Sequence, residues 1–169
     1  MNAAIDPALC RDSIARLLSD EAQWLVLLEQ QLTREHKLIT DDDVDGLQEA
    51  GVARQSCVSK LVRIEDERLS ICRQQGQSAD VVGLQAILGW CDPQGSLQPA
   101  LQNTTQLATR CREQNTRNGM LVSARLQRIS GVVSLLNSNA DAPRTNVYGR
   151  SGGNNGYATA TGRMLSFSA

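Results

Sequence analysis

Apolar residues in the first segment of the chain return on alternating steps of four and three: Ile14, Leu18, Leu25, Leu28, Leu32 and Ile39. Such spacing keeps side chains on one face of an α-helix. Only Glu21 and Glu35 break the stripe, and Leu17, Trp24, Leu27 and Leu38 widen it. Pro7 suits a helix start, so the spacing predicts a helix from about Pro7 to about Ile39. Thr40 and Asp41-Asp42-Asp43 then offer N-cap candidates and favourable charge for a second helix. Its stripe reads Leu47, Ala50, Cys57, Leu61, Ile64 and Ile71, interrupted by Arg54 and Arg68, and it stops near Gly76. At about thirty residues and roughly 45–50 Å each, joined by a very short turn, the two segments predict a long antiparallel hairpin.

A different pattern follows. Ser78 offers a cap for a short helix over Ala79 to Trp90, and Asp92-Pro93-Gln94-Gly95 reads as a turn. The short helix is expected to pack across the hairpin or cap its end. A third long helix is predicted from about Ser96 to Asn137, with Pro99 in its first turn. Leu97, Leu101, Ala108, Cys111, Val122, Ile129, Val132 and Leu136 keep the alternating steps, while Thr104, Asn115, Asn118 and Arg125 occupy positions between them. The stripe is therefore weakest at its centre. From residue 138 onward Asn, Gly, Ser, Thr and Ala dominate, which predicts a flexible tail over 138–169 after a helical domain over 1–137.

The chain has 169 residues, 41% hydrophobic but only 3% aromatic, so its core must be made of Leu, Val, Ile and Ala. Interlocking helices suit that supply better than stacked sheets, and the predicted class is all-α, a coiled-coil-like bundle. The net charge of −1 conceals an asymmetry. Residues 1–75 sum to −5, whereas residues 110–137 sum to +4. A basic helix lying on acidic ones accounts for this within the molecule; nucleic-acid binding would ask for more lysine and for aromatic stacking platforms. The five cysteines, Cys10, Cys57, Cys72, Cys91 and Cys111, form no CxxC pair and have no histidine near them in sequence, which favours reduced thiols used as small core residues. No stretch approaches the roughly twenty apolar residues that span a bilayer. Cytoplasmic residence without stable membrane insertion is the expectation.

Candidate chemistry is sparse. His36 is the single histidine, and on a helical hairpin it invites comparison with histidine phosphotransfer domains. The surrounding Glu35-His36-Lys37-Leu38-Ile39 departs from their His-x-Leu-Lys-Gly type of run, and a solvated histidine near a helix C-terminus is the plainer reading. A serine or cysteine hydrolase would lack a base other than His36. Asp41-Asp42-Asp43-x-Asp45 lacks the distal glutamate of a calcium loop, and no phosphate-binding glycine motif sits between a strand and a helix. The sequence argues against an enzyme and calls for no cofactor and no metal. Asn115 and Asn118 admit two readings, a buried layer that fixes helix register or part of an interface. Tyr148 stands in a tail that gains little from an aromatic group unless a partner binds it.

The chain resembles the FlgN family of flagellar export chaperones. The resemblance rests on two long heptad-like helices, then Asn115-x-x-Asn118-Gly119-x-Leu121-Val122, then Ser134-Leu135-Leu136, and finally Val147-Tyr148-Gly149-x-x-Gly152. The segment from Gly76 to Gly95 is longer than the family pattern, and Gly153 to Ala169 has no clear counterpart. The resemblance implies a chaperone that binds the C-terminal helical segments of hook-filament junction proteins, prevents their premature assembly, and delivers them to the type III export gate and its ATPase. It places the client surface at Asn115, Asn118, Leu121, Val122, Leu126, Ile129, Val133 and Leu136, and export-gate docking at Tyr148. It implies a cytoplasmic location with transient visits to the inner-membrane gate. A structural coiled-coil adaptor without cargo is the main alternative, and a phosphotransfer protein acting through His36 is the third.

Overall fold

The computed structural model describes residues 6–140, which form four α-helices in the order α1 (Pro7–Asp41), α2 (Val44–Gln74), α3 (Val81–Cys91) and α4 (Gln98–Ala140). No strand occurs among the described residues, and the all-α class holds. The chain divides into two units, Met1–Ser123 and Ala124–Ala169.

Short polar side chains set the helix ends. Asp6 accepts the Ala8 N–H at 3.2 Å ahead of Pro7, the first residue of α1. The helix runs two residues past Ile39 and closes at Asp42, whose left-handed φ of 61° turns the chain back. Of the acidic candidates before α2, Asp43 is the cap, accepting the Gly46 N–H at 2.9 Å. The end of α2 satisfies its last carbonyls through two turn bonds, Gln77 N–H to Cys72 O at 2.9 Å and Gly76 N–H to Arg73 O at 3.0 Å. That closure needs a left-handed residue, and Gly76 supplies it at φ 68°.

The cap of α3 differs from the expectation. Asp80, not Ser78, accepts the Gly83 N–H at 2.9 Å, while the Ser78 hydroxyl donates to Asp80 Oδ1 at 2.7 Å. A carboxylate is the stronger acceptor, so the serine supports the cap instead of forming it. These bonds, led by the one from Gly83, hold the Asp80 pKa below its ordinary value. The turn also comes so close to the helix that a Cβ on Gly83 would overlap the Ser78 carbonyl oxygen. Before α4, Asp92 accepts from Ser96 Oγ at 2.6 Å and Leu97 N–H at 2.8 Å, which fixes the predicted turn. Pro99 lies in the first turn of α4, as expected, and the helix continues three residues past Asn137.

Within the first unit, α1 and α2 form the predicted antiparallel hairpin, and α3 packs on both. All six residues of the α1 stripe are buried. Five of them, all but Ile39, feed two apolar clusters. One gathers Cys10, Ile14, Leu18, Cys72, Ile87 and Cys91, with Leu97 and Leu101 against it. The other gathers Leu25, Leu28, Leu32, Cys57, Leu61, Leu107 and Cys111. All five cysteines are buried and unpaired, filling small core positions. Burial raises their pKa, to about 11 for Cys10 and Cys111, so these thiols stay protonated and unreactive at neutral pH.

The charged interruptions of the two stripes meet each other. Arg68 forks onto Glu21 at 3.0 and 3.1 Å and also bonds Glu65 at 2.9 Å. Burial opposes its charge, but the two glutamates outweigh that effect and raise its pKa. Nearer the hairpin turn, Arg54 Nε lies 2.9 Å from Glu35 Oε1. Each pair joins α1 to α2, so sliding either helix by a turn would strand a charge in the interior.

A candidate interaction site on the fourth helix

The first part of α4 is held against α1 by specific polar contacts. Arg110 Nε donates to Glu29 Oε1 at 2.8 Å, joining the basic helix to an acidic one as the charge asymmetry suggested. The Cys111 thiol donates to the Leu25 carbonyl at 3.4 Å, and Leu107 is buried in the same cluster. Leu107 was not in the sequence stripe, which assigned its neighbour Ala108. Leu107 stands three residues after Thr104 and four before Cys111, on the same face of the helix, so the buried face of this part of α4 is wider than the stripe.

Asn118 is the centre of a buried polar node. Only 4% exposed, it donates from Nδ2 to the Leu32 carbonyl at 2.8 Å, and its Oδ1 lies 3.1 Å from His36 Nδ1. Gln114 Nε2 adds a longer bond to the same oxygen at 3.4 Å. Asn115 is exposed and accepts from Arg54 Nη1 at 3.4 Å, while Arg54 also binds Glu35. Burial raises the Glu35 pKa, partly offset by Arg54 and by a bond with Asn118. Glu35, His36, Arg54, Asn115 and Asn118 thus tie α1, α2 and α4 in one register. His36 is not the solvated histidine that the sequence suggested. Its place one turn beyond Leu32 on α1 brings its ring half-buried against Asn118. The geometry makes Asn118 a register residue, buried where it stands, and leaves Asn115 on the surface.

Within the first unit, Leu121 and Val122 are each partly exposed, at 37% and 38%. The second unit continues α4 with its polar and apolar side chains alike exposed over residues 126–136. Leu126, Ile129, Val133 and Leu136 are about half exposed or more, at 60%, 59%, 49% and 64%. At 3.6 residues per turn these four project within an arc of about 80°. Val132 is exposed at the edge of this arc, and Leu135 is exposed on another side of the helix. An apolar face of this kind is a candidate interaction surface. Tyr148 lies outside the described residues.

Among the described residues, no group of three His, Cys, Asp or Glu side chains is arranged to hold a metal ion. The described helices include none long and apolar enough to cross a membrane. What the site offers is apolar area on a helix, suited to covering the apolar stripe of another helix.

The model of the FlgN protein family matches residues 11–156. The chain belongs to the FlgN family. It is accordingly a chaperone of flagellar protein export, and its all-α architecture fits that assignment. No curated protein and no solved structure matches the chain. The family match runs through both the polar node and the exposed part of α4, and it includes Tyr148.

Proposed function

We propose that this FlgN-family chaperone binds the C-terminal helical segments of flagellar hook-filament junction proteins and keeps them from assembling before export. The observation that carries this reading is the exposed face of Leu126, Ile129, Val133 and Leu136 on a helix whose earlier turns are locked to α1. A free cargo segment with an amphipathic stripe would associate with others of its kind, and a facing helix can cover that stripe. Leu121 and Val122 contribute partly exposed side chains, and Asn115 a polar contact. Asn118 supports the surface from inside, by fixing α4 on Leu32 and His36.

Delivery uses a second site. Tyr148 docks to the cytoplasmic domain of the export gate, and the export ATPase receives the loaded chaperone there. The chaperone works in the cytoplasm and visits the inner-membrane gate transiently. Weak contacts at both sites serve a carrier that must release its cargo.

Calorimetric titration of the purified chain with the C-terminal segment of a hook-filament junction protein from the same genome tests this reading. Saturable one-to-one binding is expected. Absence of binding to the folded chain would favour a structural coiled-coil adaptor, in which the same apolar face is buried between copies. Sedimentation then gives a fixed oligomer. Substitution Tyr148→Ala should leave cargo affinity unchanged while weakening gate binding by more than about 1 kcal/mol; unchanged gate affinity would reject the docking role.

A further inference from the structure

The exposed face of α4 has an occupant available within the same chain. Beyond Ala140 the sequence is poor in bulky apolar residues until Met164-Leu165-Ser166-Phe167, where three large apolar side chains fall within four positions. Phe167 is the single phenylalanine of the protein. The family match stops at residue 156, so this cluster lies outside the region that the FlgN reading explains.

We propose that Met164, Leu165 and Phe167 cover the apolar face of Leu126, Ile129, Val133 and Leu136 when no cargo is bound, and compete with cargo for it. The competition, though not the docking, rests on the cargo reading above.

Chain length permits the contact. Going back along α4 from Ala140 to Leu126 covers about 21 Å at the helical rise. The intervening residues 141–163 have an extended reach of about 75 Å, so the connection does not limit which part of the face is met. Charge permits it too. Residues 164–169 carry no charged side chain, and so bring no like charge to Arg125 and Arg128, which accompany the face in sequence.

Three apolar side chains make too small a contact to hold separate molecules together at ordinary concentrations. Within one chain the local concentration reaches the millimolar range, which makes a weak contact sufficient. A cargo segment with a longer stripe displaces it. The tail would then shield the face before loading without preventing loading.

The test is nuclear magnetic resonance on the full chain, with the Phe167 ring labelled selectively and the methyl groups of leucine, isoleucine and valine observed. Because Phe167 is unique, any ring-to-methyl contact is assigned without ambiguity. Contacts to Ile129 or its three companions are expected to persist on dilution. They should be absent from a mixed sample in which ring and methyl labels sit on different molecules. Contacts found only between molecules would make a second copy the occupant and overturn the proposal, as would the lack of any contact.

A triple variant, Met164→Asp with Leu165→Asp and Phe167→Asp, measures the competition. If the tail covers the face about nine-tenths of the time, the variant binds the hook-filament junction segment about tenfold more tightly. Equal affinity would overturn the competition. Should neither protein bind that segment while the ring contacts are present, the cargo reading fails and the docking of the tail stands.

Discussion

The two parts of α4 differ in what they bury. Between residues 98 and 118 the helix buries Thr104 and Asn118 along with Leu107 and Cys111. Between residues 126 and 136 it exposes Leu126, Ile129, Val132, Val133, Leu135 and Leu136. Residue polarity alone therefore does not tell which positions are inside. In the first part, each buried polar side chain has a partner: Thr104 Oγ1 donates to the Leu101 carbonyl at 2.9 Å, and Asn118 bonds α1. In the second part, the leucines and valines have apolar area to offer. The first part fixes position, and the second, on the function proposed above, receives a partner.

The largest difference should appear in stability. Leu107→Ala removes a side chain from a closed cluster and is expected to cost about 2–5 kcal/mol in denaturant unfolding. By contrast, Ile129→Ala should change stability by about 0.5 kcal/mol or less. A similar loss at both positions would show that the distal face is core, and the comparison would break.

Cargo binding sharpens the contrast from the other side. Ile129→Asp should weaken binding of the hook-filament junction segment at least tenfold, about 1.4 kcal/mol, with the helical circular dichroism retained. If helicity is lost together with binding, the residue is structural.

The next effect concerns the asparagines. Asn118→Ala leaves the buried node short of a partner and is expected to cost about 1–3 kcal/mol, whereas Asn115→Ala, on the surface, should cost about 0.5 kcal/mol or less. Equal costs would contradict the division of roles between them.

The smallest effect is a pH dependence at the node. Burial raises the Glu35 pKa, so folding favours its protonated form. Its contribution to stability is full below the ordinary carboxylate pKa and is lost as pH rises through the raised value. Compared with the wild type, Glu35→Gln should therefore become relatively more stable as pH rises above the ordinary carboxylate range. Urea unfolding over that rise in pH checks it, and a constant difference would show that Glu35 has no raised pKa.

Much of the hairpin was legible because two helices with a short connection leave few arrangements open. All six residues of the α1 sequence stripe are buried, and Cys10, Leu17 and Glu35 are buried with them. The pairing of its interruptions went unread, although the signal was present. Glu21 and Glu35 are separated by the same interval as Arg54 and Arg68, so one antiparallel register brings both opposite charges together. Treating each charged residue as a flaw in its own stripe concealed that register.

The third long helix was harder to read. Its existence follows from periodicity, but Leu107 was missed because the buried face is broader than one alternating stripe: Leu107 lies between Thr104 and Cys111 on that face and is buried with them. The node was half legible: Asn115 and Asn118 stood out in the pattern, yet the participation of His36 depends on a contact across 82 residues of sequence. Nor can spacing distinguish an apolar residue that packs against α1 from one left for a partner. Cys111 and Ile129 both stand on the alternating stripe and have opposite exposure.

The central claim is that the exposed distal face of α4 receives cargo while its earlier turns hold position. Amide hydrogen exchange of the full chain, with and without the hook-filament junction segment, tests it most directly. New protection is predicted over residues 121–136, with residues 104–118 of α4 unchanged. Protection appearing on α1 and α2 instead, with none over 121–136, would contradict the account.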